Sequence, residues 1–204
     1  MTAETLNPRK MPLQARAIAT RACLVEAGAQ LLKANGLAGF STNAVVRRAG
    51  VSIGSFYQYF PNKDALMVAL IQRQQNLQLE NLAAAVASLA GADLRTVVRT
   101  MVRAAMQHHR DDCLLASAID HEEARLPIDD LLDGYLERSG AMTVALLNNY
   151  KDEIAPVTQY RAARTLPVLV RAVTDAWANL SPPAMDVAED EAVRVVLGYL
   201  QNEA

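Results

Sequence analysis

Helix caps and helix breakers alternate at short intervals between residues 40 and 66, in the stretch FSTNAVVRRAGVSIGSFYQYFPNKDAL. Ser41 and Ser52 are N-cap candidates, because a serine hydroxyl can accept a hydrogen bond from a free backbone N–H in the first turn of a helix. Gly50 can adopt a positive φ and end the first helix. Pro61 ends the second helix, since the residue before a proline avoids the α region. The pattern predicts two short helices joined by a tight turn, which is a helix-turn-helix.

The predicted second helix, residues 53–60, has one apolar face and one face free of acidic groups. Phe56 and Phe60 are four residues apart, so both can point inward and hold the helix on its domain. Gly54 costs roughly 1 kcal/mol relative to alanine within a helix, and its missing side chain would allow the backbone to approach a DNA duplex. The other residues do not repel phosphate: Ile53, Ser55, Tyr57, Gln58 and Tyr59. Periodicity alone also fits an ordinary helical hairpin.

Basic and acidic residues are unevenly distributed along the chain. Residues 1–73 contain nine Lys and Arg residues and three acidic residues, a net charge of +6. The remainder holds the other 11 of the 20 basic residues and the other 19 of the 22 acidic residues, a net charge of −8. A basic segment that coincides with a helix-turn-helix indicates that this part of the chain meets phosphate and the rest does not.

The motif AGVSIGSFYQYFPNKDAL resembles the signature of the tetracycline-repressor (TetR) family of bacterial transcriptional regulators. The matching positions are Ala49-Gly50-Val51-Ser52, Gly54-Ser55, Tyr57, Phe60, Asn62-Lys63-Asp64 and Leu66. The resemblance extends from about residue 14 to residue 73, and the chain length and helical plan fit over the rest. Phe56 stands where Leu is commoner, Val46 where Ala is commoner and Tyr59 where His is common. Each replacement keeps the inward or phosphate-facing character.

The resemblance implies DNA-binding roles for individual residues. The positions that match phosphate contacts are Thr42, Tyr57, Tyr59 and Lys63. Lys63 also lies at the start of the next helix, where backbone N–H groups favour an anion. The base-reading candidates are Asn43, Ile53, Ser55 and Gln58. By its chemistry, Gln58 suits an adenine edge, and Ile53 suits a thymine methyl group.

The chain is predicted to be all-α, with about nine helices, because apolar residues recur at helical spacing and no strand pattern appears. Apolar residues make up 51% of the sequence, which excludes a disordered chain. We expect residues 1–73 to form a three-helix DNA-binding head. Residues 1–12 are expected to be a disordered arm, either a basic arm that reaches DNA through Arg9 and Lys10 or a solvated tail. Residues 74–204 are expected to form a body for ligand binding and dimerisation. The predicted core of the head contains Phe40, Val45, Val51, Phe56 and Leu66.

Several side chains of the body also carry structural expectations. Arg95, Arg99 and Arg103 are expected to share a solvated helix face. Asp186 and Glu189 resemble a capping box at the start of the last helix. Pro167 is expected to kink or split the helix that contains it, because its ring removes a backbone hydrogen bond.

The resemblance implies a homodimer formed by the last two long helices of each subunit. A symmetric dimer would present two recognition helices to half-sites about one helical turn apart on a palindromic operator. The apolar stripes of these helices are wide enough for such an interface, although one subunit can also cover both stripes itself. The candidate interface residues are Leu166, Val170, Val173, Val193, Val196, Leu197 and Leu200.

The resemblance also implies a repressor that a small molecule releases from its operator. By linkage, the small molecule must bind the geometry that does not fit DNA more tightly. The candidate pocket residues are Met101, Met106, Tyr135, Met142 and Trp177. Each of them also fits a plain core position. The many Ala, Leu, Met and Val residues favour an apolar effector.

Two other classes of protein fit parts of the sequence. His109, Cys113 and His121 suit a soft divalent ion if one continuous helix runs through residue 112. The chain would then be a metal-responsive regulator, a metal-binding helical protein or an enzyme. No Gly-rich phosphate loop, GxSxG motif or HExxH motif appears, so we predict no catalytic residue and no cofactor. The second alternative is a helical interaction module whose head binds protein.

The cysteines and the amino terminus indicate a cytoplasmic protein. Cys23 and Cys113 lie far apart without a CxxC motif, which suits a reducing compartment. The first residues lack the apolar segment of a signal peptide, and no apolar run reaches the roughly 18 residues of a membrane span. The expected partners are double-stranded DNA, a second copy of the chain and a small apolar effector, without a membrane.

Overall fold

The computed structural model describes residues 15–87, 89, 91–154, 156–178, 180 and 184–201. Within these residues the chain forms nine α-helices and no β-strand, which confirms the all-α prediction. The helices are α1 (Ala15–Asn35), α2 (Thr42–Ala49), α3 (Ile53–Tyr59), α4 (Lys63–Ala87), α5 (Leu94–Asp111), α6 (Cys113–Arg125), α7 (Asp129–Leu147), α8 (Pro156–Ala178) and α9 (Met185–Gln201). The arm expected at residues 1–12 lies outside the described residues. None of the helices in these ranges combines the length and the hydropathy that a membrane span requires.

The first of two compact units contains the described part of residues 1–74 together with residues 112–128. It is built from α1, α2, α3, the first part of α4, and α6, with α1 packed against both α2 and α6. Its fully buried side chains are mostly large and apolar: Leu24, Leu32, Val45, Phe56, Phe60, Leu66 and Ile71. Of the predicted core residues, Phe40 is buried as well, whereas Val51 is only half-buried.

Helix α6 belongs to the first unit, although the sequence division at residue 73 assigns it to the body. Asp112 caps its first turn by accepting from the Leu115 N–H at 3.0 Å, and the same carboxylate lies 3.6 Å from the ammonium of Lys33 in α1. At the other end, Arg125 donates to Asp64 in the first turn of α4 at 2.7 Å. Both ends of α6 are therefore attached to helices of the head. The division at residue 73 stays a prediction for the rest of the chain.

The second unit contains residues 75–111 and the described part of residues 129–204. Helix α8 packs between α7 and α9, and α5 packs against α9. The main core of the second unit is a cluster of buried residues from α5, the end of α7, the segment after α7, α8 and α9: Leu94, Val98, Val102, Met106, Leu147, Ile154, Ala162, Leu166, Ala188, Ala192, Val193, Val196, Leu197 and Leu200. A smaller cluster contains Leu89, Val97 and Leu146.

Pro167 lies within α8, and the helix continues through it without splitting. A proline at this position leaves the Ala163 carbonyl without its usual helical N–H donor. That carbonyl faces Gly140 of α7, where an alanine methyl group would lie only 2.6 Å from the carbonyl oxygen. The close approach of α7 and α8 therefore requires glycine at position 140, and it brings α7 onto the carbonyl that Pro167 leaves free.

Candidate nucleic-acid interface

The first helix of the helix-turn-helix begins and ends as its sequence predicts. The Ser41 hydroxyl accepts from the Ala44 N–H at 3.2 Å, in the first turn of α2. Gly50 has a φ of 66°, the left-handed conformation that glycine adopts at little cost. This turn lets the Val51 N–H donate to the Val46 carbonyl at 3.1 Å, which satisfies a carbonyl at the end of α2.

Helices α3 and α4 begin with equivalent caps. The Ser52 hydroxyl accepts from the Ser55 N–H at 3.0 Å, and the Asn62 side-chain oxygen accepts from the Ala65 N–H at 2.8 Å. Phe60 follows α3 in an extended conformation. Because such caps satisfy backbone N–H groups that a helix leaves free, Ser52 fixes the start of α3 and Asn62 fixes the start of α4. The extended Phe60 ends α3 after seven residues.

Helix α3 is held on the first unit by its two phenylalanines. Phe56 and Phe60 are fully buried, and their ring centroids are 5.7 Å apart. The guanidinium of Arg21 in α1 lies over the Phe60 ring, 5.5 Å from its centroid, at the distance of a cation–π contact. The opposite face of α3 is exposed and consists of Ile53, Gly54, Tyr57 and Gln58. This exposed face, Ile53–Gly54–Tyr57–Gln58, is called the recognition face below.

Two predicted DNA contacts on α3 are less accessible than the recognition face. Ser55 and Tyr59 are half-buried. The Ser55 hydroxyl lies 2.9 Å from the Ser52 hydroxyl, so Ser55 also supports the cap of α3. A base contact by Ser55 would therefore compete with this local hydrogen bond.

The remaining predicted contacts lie on α2 and at the start of α4. Asn43 is exposed on α2, and Thr42 beside it is half-buried. Lys63 is the first residue of α4 and is exposed. A helix N-terminus carries a partial positive charge, so the start of α4 and the Lys63 ammonium both favour an anion.

The cations of the first unit fall into two groups according to their partners. Those with partners are Arg21 on Phe60, Lys33 on Asp112, Arg48 on Gln30, Arg73 on Glu26 and Arg125 on Asp64 and Glu122. The hydrogen bond from Gln30, and then that from Arg73, lowers the pKa of Glu26. Arg16, Arg47 and Lys63 have no acidic partner among the described residues.

The five residues predicted to line an effector pocket do not form one group. Met106 has no exposed surface and belongs to the main core of the second unit, and Trp177 packs partly buried against that core. Met101 packs against the smaller cluster instead. Tyr135 and Met142 are half-buried on α7. Met106 is therefore a core residue, and the pocket stays a prediction for the others.

Most residues predicted for the dimer interface are covered by their own subunit. Leu166, Val193, Val196, Leu197 and Leu200 are at most 6% exposed and belong to the main core. The side chains of Val170 and Val173 are half-buried against the same core. The predicted apolar stripes of α8 and α9 are present, but these five residues have little exposed surface with which to contact a second subunit. Among the side chains that the structure describes, the large apolar residues that α8 and α9 leave exposed are Tyr160, Val168 and Val187.

Three arginines of α5 converge on one carboxylate of α9, an arrangement that is called the Glu189 cluster below. The buried Glu189 accepts from Arg99 at 3.2 Å, from Arg103 at 2.7 Å and from Arg110 at 3.0 Å. Arg110 also donates to Asp186 at 2.8 Å. The hydrogen bond from Arg103 is the largest effect that lowers the pKa of Glu189.

The Glu189 cluster corrects two expectations from the sequence. Arg99 and Arg103 keep 41% and 59% of their side-chain surface exposed, but they are not merely solvated, because both pair with acidic residues of α9. The carboxylates of Asp186 and Glu189 are bound to these arginines and to Arg110 rather than to the backbone of a capping box. Since the partners are 76 to 91 residues apart in sequence, no local spacing predicts the pairing.

The condition for the predicted metal group is not met. α5 ends at Asp111 and α6 begins at Cys113, with Asp112 as a non-helical cap between them. Cys113 and His121 both lie on α6, and eight residues separate them by about 12 Å along the helix axis. The metal-responsive alternative therefore has no support, and it is not carried further.

Comparison with known protein families matches most of the chain. The family described as bacterial regulatory proteins, tetR family, matches residues 24–70, which include α2, α3 and the start of α4. The family described as tetracyclin repressor-like, C-terminal domain, matches residues 93–200, more than half of the chain. Comparison with curated proteins finds no significant match.

Several solved structures share the fold. A transcriptional regulator from Cytophaga hutchinsonii has 17% identity and a TM-score of 0.70, with 88% of this chain and 97% of that chain covered. GusR from Salmonella enterica has 26% identity and a TM-score of 0.68, with 93% and 99% covered. The multidrug binding protein EbrR, solved in complex with malachite green, has 21% identity and a TM-score of 0.65, with 88% and 97% covered.

An all-α chain with a capped helix-turn-helix and an exposed, acid-free recognition face is a helix-turn-helix DNA-binding protein. This chain belongs to the TetR family of bacterial transcriptional regulators. Family membership confirms the resemblance to the TetR signature that the residues around Gly50 and Lys63 indicated.

Proposed function

We propose that the protein is a homodimeric repressor that binds a palindromic operator through α3 and leaves it when a small apolar molecule binds the second unit. The recognition face carries this proposal, because Phe56 and Phe60 hold α3 by its buried side and leave the other side exposed. A helix held in this way can enter the major groove of DNA. Its access to chromosomal DNA would place the protein in the cytoplasm.

On the DNA, the recognition face would read bases while its surroundings bind phosphates. Gln58 would pair with an adenine edge, and Ile53 would contact a thymine methyl group. Asn43 and Ser55 are the other base-reading candidates, and the phosphate contacts would come from Thr42, Tyr57, Tyr59 and Lys63. Gly54 would let the backbone of α3 approach the base pairs.

Selection of binding sites from random duplex DNA tests this proposal. We expect the selected duplexes to share a palindrome whose half-sites lie about one helical turn apart. The recovered duplex should bind more tightly than a scrambled duplex of the same composition at moderate salt. Recovery of no common sequence would contradict the proposal.

The dimer would use the outward faces of α8 and α9. Val168 and Val187 are about half exposed on these two helices, and such apolar side chains are typical of the buried part of a subunit interface. The half-buried Val170 and Val173 would lie at its edge. The five predicted interface residues that are buried would instead pack α8 and α9 onto the core of their own subunit: Leu166, Val193, Val196, Leu197 and Leu200.

Sedimentation equilibrium tests the interface with a matched control. Val168→Glu combined with Val187→Glu places two charges in the proposed interface and should yield monomers. Leu114→Glu alters an equally exposed leucine on α6 and should leave the mass of the dimer unchanged. A double variant that sediments like the wild type would exclude this surface.

The effector would bind the second unit beside α7, where Tyr135 and Met142 are half-buried and can still contact a ligand. Met101 and Trp177 are the other candidates that retain exposed surface. EbrR was solved with malachite green, so a gel-shift assay can begin with malachite green and continue with a panel of apolar compounds. Release of the operator by one compound is expected, and a panel without effect would leave the repressor without an inducer.

A further inference from the structure

We infer that Arg47 of α2 contacts a phosphate of the operator and that its neighbour Arg48 does not. The inference rests on the proposed function, because it needs a DNA duplex against the helix-turn-helix. It adds a residue that neither the sequence motif nor the family resemblance assigned.

The two arginines lie on different faces of α2. Val45 is 1% exposed and marks the buried face of the helix. At 3.6 residues per turn, Asn43 and Arg47 each lie about 160° from Val45 around the helix, whereas Arg48 lies about 60° from it. Arg47 therefore shares the outer face with Asn43, one turn away, and both are exposed.

Arg48 is occupied by a chain of hydrogen bonds within the first unit. Its Nε donates to the Gln30 side-chain oxygen of α1 at 2.8 Å, and Gln30 donates in turn to Glu26 at 2.9 Å. Glu26 also pairs with Arg73 of α4 at 2.7 Å. These contacts join α2, α1 and α4, so Arg48 has a structural role on the side of α2 that faces α1.

Arg47 has no acidic partner among the described residues, and its side chain is exposed. In a helix-turn-helix the first helix crosses the DNA backbone while the second enters the groove. A guanidinium on the outer face of α2 suits this position, because its planar array of donors matches a phosphate group. A phosphate contact there would help to set the register of the recognition face on the duplex.

The salt dependence of DNA binding separates the two arginines. Affinity for the duplex recovered by selection, and for its scrambled counterpart, would be measured from low to moderate salt for wild type, Arg47→Ala and Arg48→Ala. Each lost phosphate contact reduces the slope of log affinity against log salt by about 0.9. Arg47→Ala should therefore reduce the slope by roughly 1.8 for a dimer with two heads, on both duplexes. Arg48→Ala, which removes the same charge, should leave the slope unchanged.

Two further measurements keep the outcomes distinct. Arg47→Lys should retain the wild-type slope, and the thermal unfolding midpoint of Arg47→Ala should match that of the wild type, because the side chain is exposed. The inference is overturned if the two alanine variants change the slope equally, or if Arg47→Ala changes nothing while the wild type still prefers the selected duplex. If the wild type binds the selected duplex no more tightly than the scrambled duplex, the proposed function itself is refuted.

Discussion

The cations beside the recognition face of the first unit and those of α5 in the second unit have different surroundings. In the second unit, Arg99, Arg103 and Arg110 converge on the buried carboxylate of Glu189. In the first unit, Arg47 and Lys63 are exposed and have no acidic partner among the described residues. These three cations of α5 are thus neutralised by their own chain, whereas those around the recognition face can neutralise a phosphate.

This difference shows why a count of basic residues is a poor guide to DNA binding. Arg95, Arg99 and Arg103 recur at helical spacing and form a more regular basic row than any in the head. Two of them are nevertheless paired with acidic residues of α9. A partner within the chain, whether the Glu189 carboxylate for Arg103 or the Gln30 side chain for Arg48, distinguishes a structural arginine from one that can bind phosphate, and the spacing of the cations does not.

The largest expected effect comes from removing the carboxylate of the Glu189 cluster. Glu189→Ala should lower the free energy of unfolding by about 2.5 kcal/mol, because it removes the hydrogen bonds of three guanidinium groups to one buried carboxylate. Urea unfolding at one protein concentration measures the loss. Since the pairing lowers the pKa of Glu189 below its ordinary 4.5, its contribution is complete above that value. It disappears as the pH falls through the lower pKa of the folded protein, so the difference between variant and wild type should shrink in acid.

Glu26→Ala is the matched control for this prediction. Glu26 also pairs with an arginine, Arg73, but both side chains are more than 40% exposed. Pairs of this kind typically contribute less than about 1 kcal/mol. Equal losses from Glu26→Ala and Glu189→Ala would show that the burial of Glu189 has no energetic consequence.

Lys63→Ala tests whether an unpaired cation beside the recognition face contributes to DNA binding. The variant should weaken binding to selected and scrambled duplexes alike by about 2 kcal/mol, because a charged hydrogen bond to phosphate is lost. The slope of log affinity against log salt should fall by about 0.9 for each head. Arg103→Ala removes the same charge from a cation already paired with Glu189 and should leave the slope unchanged. If Arg103→Ala lowers the slope as much as Lys63→Ala does, pairing with a carboxylate does not prevent a cation from contributing to DNA binding.

The residues that sequence analysis predicted correctly depend on neighbours a few positions away. The caps at Ser41, Ser52 and Asn62 each bond a backbone N–H three residues later. Gly50 ends α2 by its own backbone conformation, and Phe56 is buried because of its place on one face of a short helix. Such features are visible in sequence because the chain itself holds the interacting groups close together.

The features that sequence analysis did not predict depend on which distant segment of the chain packs against a side chain. Periodicity identifies an apolar stripe that includes Val193 and Leu197, but it does not say whether the subunit's own core or a second subunit covers the stripe. In the same way, Glu189 has the spacing of a capping box with Asp186, while its partners lie on α5. The attachment of α6 to the head was missed for the same reason, because Arg125 and its partner Asp64 are 61 residues apart in sequence.

Gln58→Ala should alter preference more than affinity. A glutamine that bonds an adenine edge typically discriminates between bases by roughly 1–3 kcal/mol, and we expect a loss of about 1.5 kcal/mol at one position of each half-site. Competition between the selected duplex and duplexes with single base changes measures it. Gln72→Ala alters an exposed glutamine of α4 in the same unit and should leave every preference unchanged. A variant with wild-type discrimination at all positions would remove Gln58 from the base-reading set.

Gly54→Ala has a small expected effect on stability and separates folding from DNA binding. An alanine methyl group at position 54 would have only the Ser52 hydroxyl within 4 Å, at 3.7 Å, so the free protein accommodates it. Its higher helix propensity should raise the free energy of unfolding by up to about 1 kcal/mol.

Operator affinity should fall in the same variant, because in the proposed complex the added methyl group would lie between the backbone of α3 and the base pairs. Gly134→Ala provides the control, since position 134 of α7 also faces open space and should show the gain in stability with no change in DNA binding. If Gly54→Ala binds the selected duplex as tightly as Gly134→Ala, the backbone of α3 does not approach the duplex at this point. The role of α3 would then depend on its side chains alone.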